Sequence, residues 1–382
     1  WTSEPNNRQD TVNTNDTLER IIYISMSGNY TINSTQPTLG TNYNSITEFV
    51  EDLNTRGVCG PVIADVIPNT GPYNGKMAFS GVQGTSAVNT VRINGNGNDV
   101  VVATSASNGQ REMLLFDATS YVTVDSLNFS TTGAAGWAAL ITTGSEFDSI
   151  TNCVFDLSNI TSTASASNSG IIISGSNSSA TGSGVAGNNI YIKGNHLIGS
   201  PAAGGLYYAY SIAGGGNNNN IFEDNLVENY YYYGTYIAVS ENNIIRNNEY
   251  RRADKTTGFT TNYGIHLVSG ASGGHVITGN RIHSNAAPSA SNTSSSYGIS
   301  TLADPPASNP VIISNNAVYN FRGGIVYGIY VSTGPNTLIY HNTVDLSMPT
   351  GSSSANYGLY LTGTNTGTLV KNNNVSITDG TT

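Results

Sequence analysis

Charge is scarce in this chain of 382 residues. Asp, Glu, Lys and Arg make up 10% of it, against about a quarter in ordinary soluble proteins. Positive charge is the scarcer sign, because 14 Lys and Arg stand against 24 Asp and Glu, for a formal net charge of −10. Phosphate binding needs clustered positive charge, so we predict no nucleic-acid partner.

Long apolar runs and cysteine frameworks are also lacking. No run approaches the roughly 18 apolar residues of a membrane-spanning helix, so we predict no membrane insertion. Two cysteines, Cys59 and Cys153, make no disulfide framework, and two separate buried thiols are favoured over a bridge. The five histidines show no metal-ligand spacing. We therefore predict no cofactor, with calcium left open at acidic turns near Asp148 and Asp156.

The chain is rich in small polar residues, including 43 Gly, and these are interleaved with Ile, Val, Leu and 23 Tyr. A Tyr-Gly dipeptide recurs at spacings of 30, 34, 30 and 30 residues, followed by apolar residues at alternate positions. Such alternation predicts strands with one buried face. The stretch NYGIHLVSG at 262–270 returns as NYGLYLTG at 356–363, which predicts one wall of a repeating structure, three coils apart. The dipeptides begin at Tyr233, Tyr263, Tyr297, Tyr327 and Tyr357.

An Asn-x-apolar triplet recurs as well, about once per 30 residues. Short strands separated by turns of Gly, Asn, Ser and Pro predict an all-β solenoid, whose stacked coils bury a continuous apolar face. Asn tolerates the left-handed backbone of a tight turn, and its amide can bond to the Asn of the adjacent coil. We predict an internal ladder rather than a ligand site, at Asn195, Asn225, Asn248, Asn280, Asn316, Asn342 and Asn373.

The segment NSITEFVEDLNTRG departs from the repeat. Apolar residues at helical spacing run from Ile46 to Leu53, Ser45 and Glu48 form a capping box, and Gly57 is placed to end the helix. A short amphipathic helix here would cover the open end of the solenoid, as repeat proteins require. The predicted organisation is a polar tail at 1–20, an N-terminal cap at 21–57 and a parallel β-helix at 58–382.

The repeats resemble those of right-handed parallel β-helix proteins of the PbH1 type. The stretch from GNYTIN to the turn PNTGPY, within residues 28–73, is similar to the beginning of large secreted β-helix proteins of Bacteroidota, which are exported by type IX secretion. The resemblance implies an extracellular, surface or adhesin-like protein. It also implies O-glycosylation of Asp-Ser/Thr-apolar tripeptides, which an intact-mass measurement would test, at Thr11, Thr17, Ser126 and Ser149.

Charged residues cluster between 223 and 255. Uronate lyases need cations to neutralise a carboxylate and a base to take the neighbouring proton. Glycoside hydrolysis needs two facing carboxylates, which Glu223, Asp224 and Glu249 could supply from nearby coils. The alternative is a row of exposed ion pairs, each contributing little, and we favour it. The candidate carbohydrate site comprises Arg251, Arg252 and Lys255 as cations with Glu249 or His266 as base.

A second candidate site is aromatic. Strand alternation predicts an outward row at the third position after each Tyr of the dipeptide, in which Tyr330 and Tyr360 stack on adjacent coils. Exposed tyrosines suit sugar binding or side-by-side protein packing. Ordinary cross-strand packing is the other explanation. The row consists of Tyr236, His266, Ser300, Tyr330 and Tyr360.

These observations favour an extracellular structural or adhesive protein that associates with itself or with other surface proteins. The repeats continue to the last residues, so we expect either a fragment or an open end that docks on another molecule. The alternative is a polysaccharide lyase or hydrolase, or a glycan-binding module, with its site around 223–266. We lean against an enzyme, because no family catalytic motif is present.

Overall fold

The computed structural model describes residues 23–202, 204–346 and 355–378. Within these residues the chain is a parallel β-helix, because each named strand pairs in parallel with the equivalent strand of the next coil. The prediction of an all-β solenoid is confirmed. Two large sheets form its walls, and one short helix lies at the N-terminal end.

Over the described residues, the first sheet has ten strands in chain order. Tyr263 pairs with Tyr297, Tyr297 with Tyr327 and Tyr327 with Tyr357, so the two copies of the repeat lie on one wall as predicted. The strands are Met77–Ser80, Glu112–Asp117, Gly136–Thr142, Asn168–Ile173, Tyr208–Ile212, Tyr233–Ile237, Asn262–Leu267, Ser296–Thr301, Val326–Ser332 and Asn356–Thr362.

The second sheet begins with long strands and continues as pairs of short strands separated by a bend. A small two-stranded sheet, Ser145–Glu146 with Gly187–Asn188, adjoins it. The second sheet comprises Met26–Ile32, Asn42–Tyr43, Val58–Val66, Tyr73–Asn74, Val91–Val102, Val122–Thr131, Ser149–Thr151, Val154–Asp156, Tyr191–Lys193, His196–Ile198, Ile221–Glu223, Leu226–Glu228, Ile244–Arg246, Glu249–Arg251, Val276–Thr278, Arg281–His283, Val311–Ser314, Ala317–Tyr319, Thr337–Tyr340, Thr343–Asp345, Leu369–Lys371 and Asn374–Ser376.

The Asn ladder is present at the bend of the second sheet. The side-chain oxygen of Asn280 accepts hydrogen bonds from the backbone N–H of Asn248 (3.0 Å) and from its amide (3.1 Å). The pattern repeats down the solenoid, and Cys153 takes the same place one coil before Asn195. One part of the prediction is wrong: the left-handed backbone belongs to the preceding residue, such as Asn247 with φ 57°.

The glycine of each Tyr-Gly dipeptide faces the interior. A Cβ added to Gly298 would lie 2.5 Å from the side chain of Val318 and 2.5 Å from the carbonyl oxygen of Gly328. Val318 is the apolar member of an Asn-x-apolar triplet on the opposite wall. The two repeat motifs of the sequence therefore meet in the core, and glycine is needed there because the walls approach closely.

The cap helix spans Ile46–Arg56. Its buried face packs against the first coil, and the side chain of Asn54 bonds to the carbonyl of Ala78 (2.7 Å) and the N–H of Ser80 (3.0 Å) on the edge strand. Ser45 caps the helix by accepting a hydrogen bond from the N–H of Glu48. Because strand Met26–Ile32 pairs with Val58–Val66, the sheet already includes residues of the segment 21–57.

The two cysteines are separate free thiols, as expected, but only Cys153 is buried. Cys59 is exposed, because it lies at an outward position near the start of strand Val58–Val66. The expectation of two buried thiols is therefore wrong for Cys59. In the part of the chain that is described, no helix is long and apolar enough to cross a membrane.

A buried histidine makes the fold sensitive to acid. The ring of His275 accepts a hydrogen bond from the N–H of Asn243 (3.3 Å) and lies 3.1 Å from the carbonyl of Ser240. Burial lowers its pKa to about 4. The unfolded state therefore binds more protons than the folded state between about pH 6.5 and 4, and stability is lost as the pH falls through that window.

Between pH 7 and pH 4.5, we expect the His275→Asn variant to lose about 2 kcal/mol less stability than the unchanged protein. Asn occupies the equivalent place in the two preceding coils, at Asn220 and Asn243, and makes the same hydrogen bond there. Chemical denaturation at both pH values measures the difference. Exposed His341→Asn is the control, and an acid loss equal in both variants would contradict the assignment.

Candidate functional site

The outer face of the first sheet carries two rows of side chains, which together form the tyrosine strip. The first row follows the Tyr-Gly dipeptides from coil to coil and begins one coil earlier at Tyr208, and the second lies three residues further along the strands. The first row consists of Tyr208, Tyr233, Tyr263, Tyr297, Tyr327 and Tyr357. The second consists of Tyr236, His266, Ser300, Tyr330 and Tyr360.

The first row is a continuous stack of rings. Successive ring centres are 4.5 to 5.2 Å apart and the planes are within 6° to 15° of parallel. Tyr330 and Tyr360 of the second row also stack, at 5.7 Å. The rings of the two rows meet edge to face, as Tyr327 and Tyr330 do at 5.2 Å and 75°. Parallel pairing of the strands sets this spacing.

This geometry decides what the strip presents to a ligand. Stacking occupies the ring faces of the first row, so the outer surface offers ring edges and phenol hydroxyls. Burial and the neighbouring tyrosines raise the pKa of Tyr263 and raise that of Tyr297 to about 12. These phenols therefore stay protonated at neutral pH, and each can both donate and accept a hydrogen bond.

His266 and Ser300 lie beneath the rings of the strip. His266 is 7% exposed and its ring centre is 4.3 Å from that of Tyr263. Burial lowers its pKa to about 4, so the imidazole is neutral at pH 7. Its Nδ1 atom and the hydroxyl of Ser300 have no hydrogen-bond partner in the described residues. The predicted outward position of His266 is right, but its access to solvent is small.

The predicted cations and carboxylates of the second sheet form ion-pair ladders. Glu249 binds Arg281 and also His283 at 3.2 Å, while Arg251 binds Glu228 at 2.6 Å and Glu249 at 3.4 Å. The Arg281 guanidinium is among the contacts that hold the pKa of Glu249 below its usual range, against the opposing effect of burial. These contacts agree with the interpretation favoured from the sequence, which was a row of ion pairs.

Arg252 and Lys255 do not form a surface cation site. Both are fully buried in a turn, at 0% exposure. The guanidinium of Arg252 packs against the ring of Tyr230 at 5.4 Å, and the ammonium of Lys255 bonds to carbonyls of the 200–204 turn. Burial lowers the pKa of Lys255 to about 7. The prediction that they bind an acidic sugar is wrong, because neither side chain reaches the surface.

The structure does not bring the predicted catalytic residues together. Glu249 and Arg251 lie on the second sheet, whereas His266 lies on the first. The coils place these two outer faces on different walls, so residues close in sequence point in different directions. The lyase arrangement of Glu249, Arg251 and His266 is therefore not formed, whereas Glu223 and Glu249 of the hydrolase alternative both lie on strands of the second sheet.

The predicted modification and calcium positions have varied surroundings. Ser126 and Ser149 are half-buried at outward positions of the second sheet, while Thr11 and Thr17 lie outside the described residues. Asp148 is buried, and its oxygens accept hydrogen bonds from the Thr119 hydroxyl and the Val122 N–H. No cluster of His, Cys, Asp and Glu that could hold a metal ion occurs in the described residues. Glycosylation stays a prediction.

The first row of the strip was missed by the sequence prediction, which placed only the second row on the surface. Tyr263 faces outward although it is two residues from buried Ile265. The alternation fails there because Gly264 and Ile265 both face the core. The recurrence of Tyr at every dipeptide was the available signal, since a core ladder of glycine-linked tyrosines would not fit between close walls.

The fold places this chain among the parallel β-helix proteins. No protein-family model matches it, and no curated protein matches it. A GH136 lacto-N-biosidase from Eubacterium ramulus aligns over 92% of this chain and 68% of its own, with 13% identity and a TM-score of 0.53. PfbA, a surface adhesin of Streptococcus pneumoniae, aligns over 85% of this chain and 86% of its own, with 11% identity and a TM-score of 0.49. These similarities concern the fold alone.

Proposed function

We propose that this chain is an extracellular adhesive protein that binds a linear glycan along the tyrosine strip. The observation that supports the proposal is the unbroken first row of stacked tyrosines on one outer face. Contiguous exposed apolar patches on a protein surface often mark a binding site. The row offers apolar ring edges and phenol hydroxyls, which suit the alternating apolar and hydroxyl surfaces of a sugar.

A polymer fits the strip better than a single sugar does. Phenol hydroxyls repeat at the coil spacing along the solenoid, so a chain lying parallel to the axis meets one after another. Each contact is weak, but contacts made by one polymer are intramolecular after the first and so add to the avidity. We therefore expect affinity to rise with the length of the glycan.

The test replaces hydroxyls and keeps the stack. We expect the triple variant Tyr263→Phe, Tyr297→Phe and Tyr327→Phe to bind polysaccharides at least tenfold more weakly, since it loses three hydrogen-bonding groups. Affinity electrophoresis in gels that contain neutral or acidic polysaccharides measures the change. Tyr340→Phe is the matched control, because Tyr340 lies on the second sheet.

Two outcomes of this experiment overturn the proposal. One is the absence of retardation by every polysaccharide in the gels. The other is equal retardation of the triple variant and the Tyr340→Phe control, which would mean that binding occurs elsewhere. Oligosaccharide release from a retained polysaccharide would instead favour the hydrolase or lyase alternative, which the Eubacterium neighbour motivates.

The remaining parts of the proposal concern assembly and location. The flat walls of a solenoid suit side-by-side packing with other copies, and filaments or arrays in electron micrographs of the native protein would support self-association. Export from a member of the Bacteroidota by type IX secretion is proposed on the sequence resemblance alone. Isolated short rods in the micrographs would count against assembly.

A further inference from the structure

A groove of about 380 Å³ lies on the outer face of the first sheet, at the end away from the later tyrosines. Leu115 and Leu140, which pair in register on neighbouring strands, supply its apolar floor. Its walls are polar. The residues that carry polar side chains into it are Lys76, Glu112, Asp117, Thr142, Thr143, Ser176 and Asn177.

Glu112 is an unusual member of this lining. Its side chain is 1% exposed, and one carboxylate oxygen lies 3.0 Å from the Nζ atom of Lys76, which also donates to the carbonyl of Gly109 at 2.8 Å. The other oxygen, Oε2, is buried and has no hydrogen-bond partner in the described part of the chain. A buried carboxylate oxygen without a donor is costly, so a donor from a bound molecule would stabilise it.

The groove adjoins the beginning of the tyrosine strip. Leu140 of its floor belongs to a small apolar cluster with Trp137, Ile172 and Ala180, and Tyr208, the first ring of the strip, packs against that cluster. Arg111 links this cluster to the loop that contains Ser178. Its guanidinium lies 4.8 Å from the Trp137 ring and donates a hydrogen bond to the carbonyl of Ser178. Tyr327 lies four strands beyond Tyr208 in the first sheet, so a variant at Tyr327 tests the strip without altering the groove.

We infer that the groove is a binding site for one unit of a neutral saccharide. A sugar has an apolar face for the leucine floor and hydroxyls for the polar walls. The lining carries two carboxylates against one ammonium, which disfavours an anionic sugar. One sugar hydroxyl donates to Glu112 Oε2, and Lys76 has a further N–H to donate in return.

The probes are glucose, galactose, mannose and N-acetylglucosamine, with glucuronate and galacturonate as anionic counterparts. Ligand-observed saturation-transfer NMR detects weak binding, and titration gives the affinity. We expect at least one neutral sugar to bind and both uronates to bind more weakly. Glu112→Gln keeps the shape but puts a donor or a neutral oxygen at the acceptor, so affinity should fall about 10- to 100-fold.

A second variant tests the groove even if Glu112→Gln fails to fold. Asn177 is exposed at the rim, so Asn177→Trp fills the groove without touching the Lys76–Glu112 pair and should abolish binding. The strip variant Tyr327→Phe is the control and should leave groove binding unchanged. Failure of every neutral sugar to bind, stronger binding of uronates, or binding that survives both groove variants would each overturn the inference and leave the strip proposal untouched.

Discussion

Replacing Asn280 with Ala is expected to destabilise the coils around it by about 4 kcal/mol. The Asn280 amide donates to the carbonyl of Ile245 (2.8 Å) and to the side-chain oxygen of Asn316 (2.9 Å). Its oxygen accepts two further hydrogen bonds from Asn248. Because all four bonds are buried, Ala leaves unpaired groups that water cannot reach.

Denaturant unfolding followed by circular dichroism measures the loss. Long repeat arrays do not always unfold in one step, so hydrogen exchange of individual coils is followed as well. Faster exchange should begin at the coils next to Asn280. Asn128→Ala is the matched control, because the Asn128 amide bonds to Gly97 at the exposed surface, and it should cost less than about 1 kcal/mol. Equal losses in both variants would mean that the ladder contributes little.

Replacing Gly298 with Ala is expected to cost about 3 kcal/mol or more. The new methyl group would meet Val318 and the Gly328 carbonyl at 2.5 Å each, and one of these atoms belongs to the backbone of the next coil. Relief would require the walls to separate over several coils. The backbone conformation of Gly298 does not cause this loss of stability, because only the added methyl group lacks room.

The control for this prediction is Gly215→Ala, where an added Cβ would meet a single atom at 3.7 Å. That variant should change the free energy of unfolding by less than about 1 kcal/mol in either direction. The same denaturant experiment compares the two. A loss of equal size in both would contradict the argument that the dipeptide glycine is required by close packing across the core.

The solenoid itself was predictable from the sequence for a clear reason. Each coil buries its apolar face only against its neighbours, so the motif must recur at every coil, and the recurrence is visible in one dimension. The Asn ladder follows similarly, because a side chain that bonds to its own equivalent needs the same residue type in successive coils. The helix at Ile46–Arg56 could be found because caps and apolar spacing are local properties.

The candidate sites depend on properties that recurrence does not encode. Arg252 and Lys255 lie in a turn, where the path of the chain and not a period of two sets the direction of each side chain. Glu112 begins a strand, but its surroundings come from segments far apart in the chain, such as Lys76 and the 175–177 loop. Distances between such groups exist only after the coils have stacked.

The sequence by itself determined the parallel β-helix, its Asn ladder and its N-terminal helix, since each follows from local or strictly repeated patterns. Only the tertiary structure decided which tyrosines face outward and which charged side chains are paired with neighbours or buried. The physical reason is that Gly264 and Ile265 both turn inward to fill the space between the walls, which places Tyr263 outside. That choice is made by packing across the core.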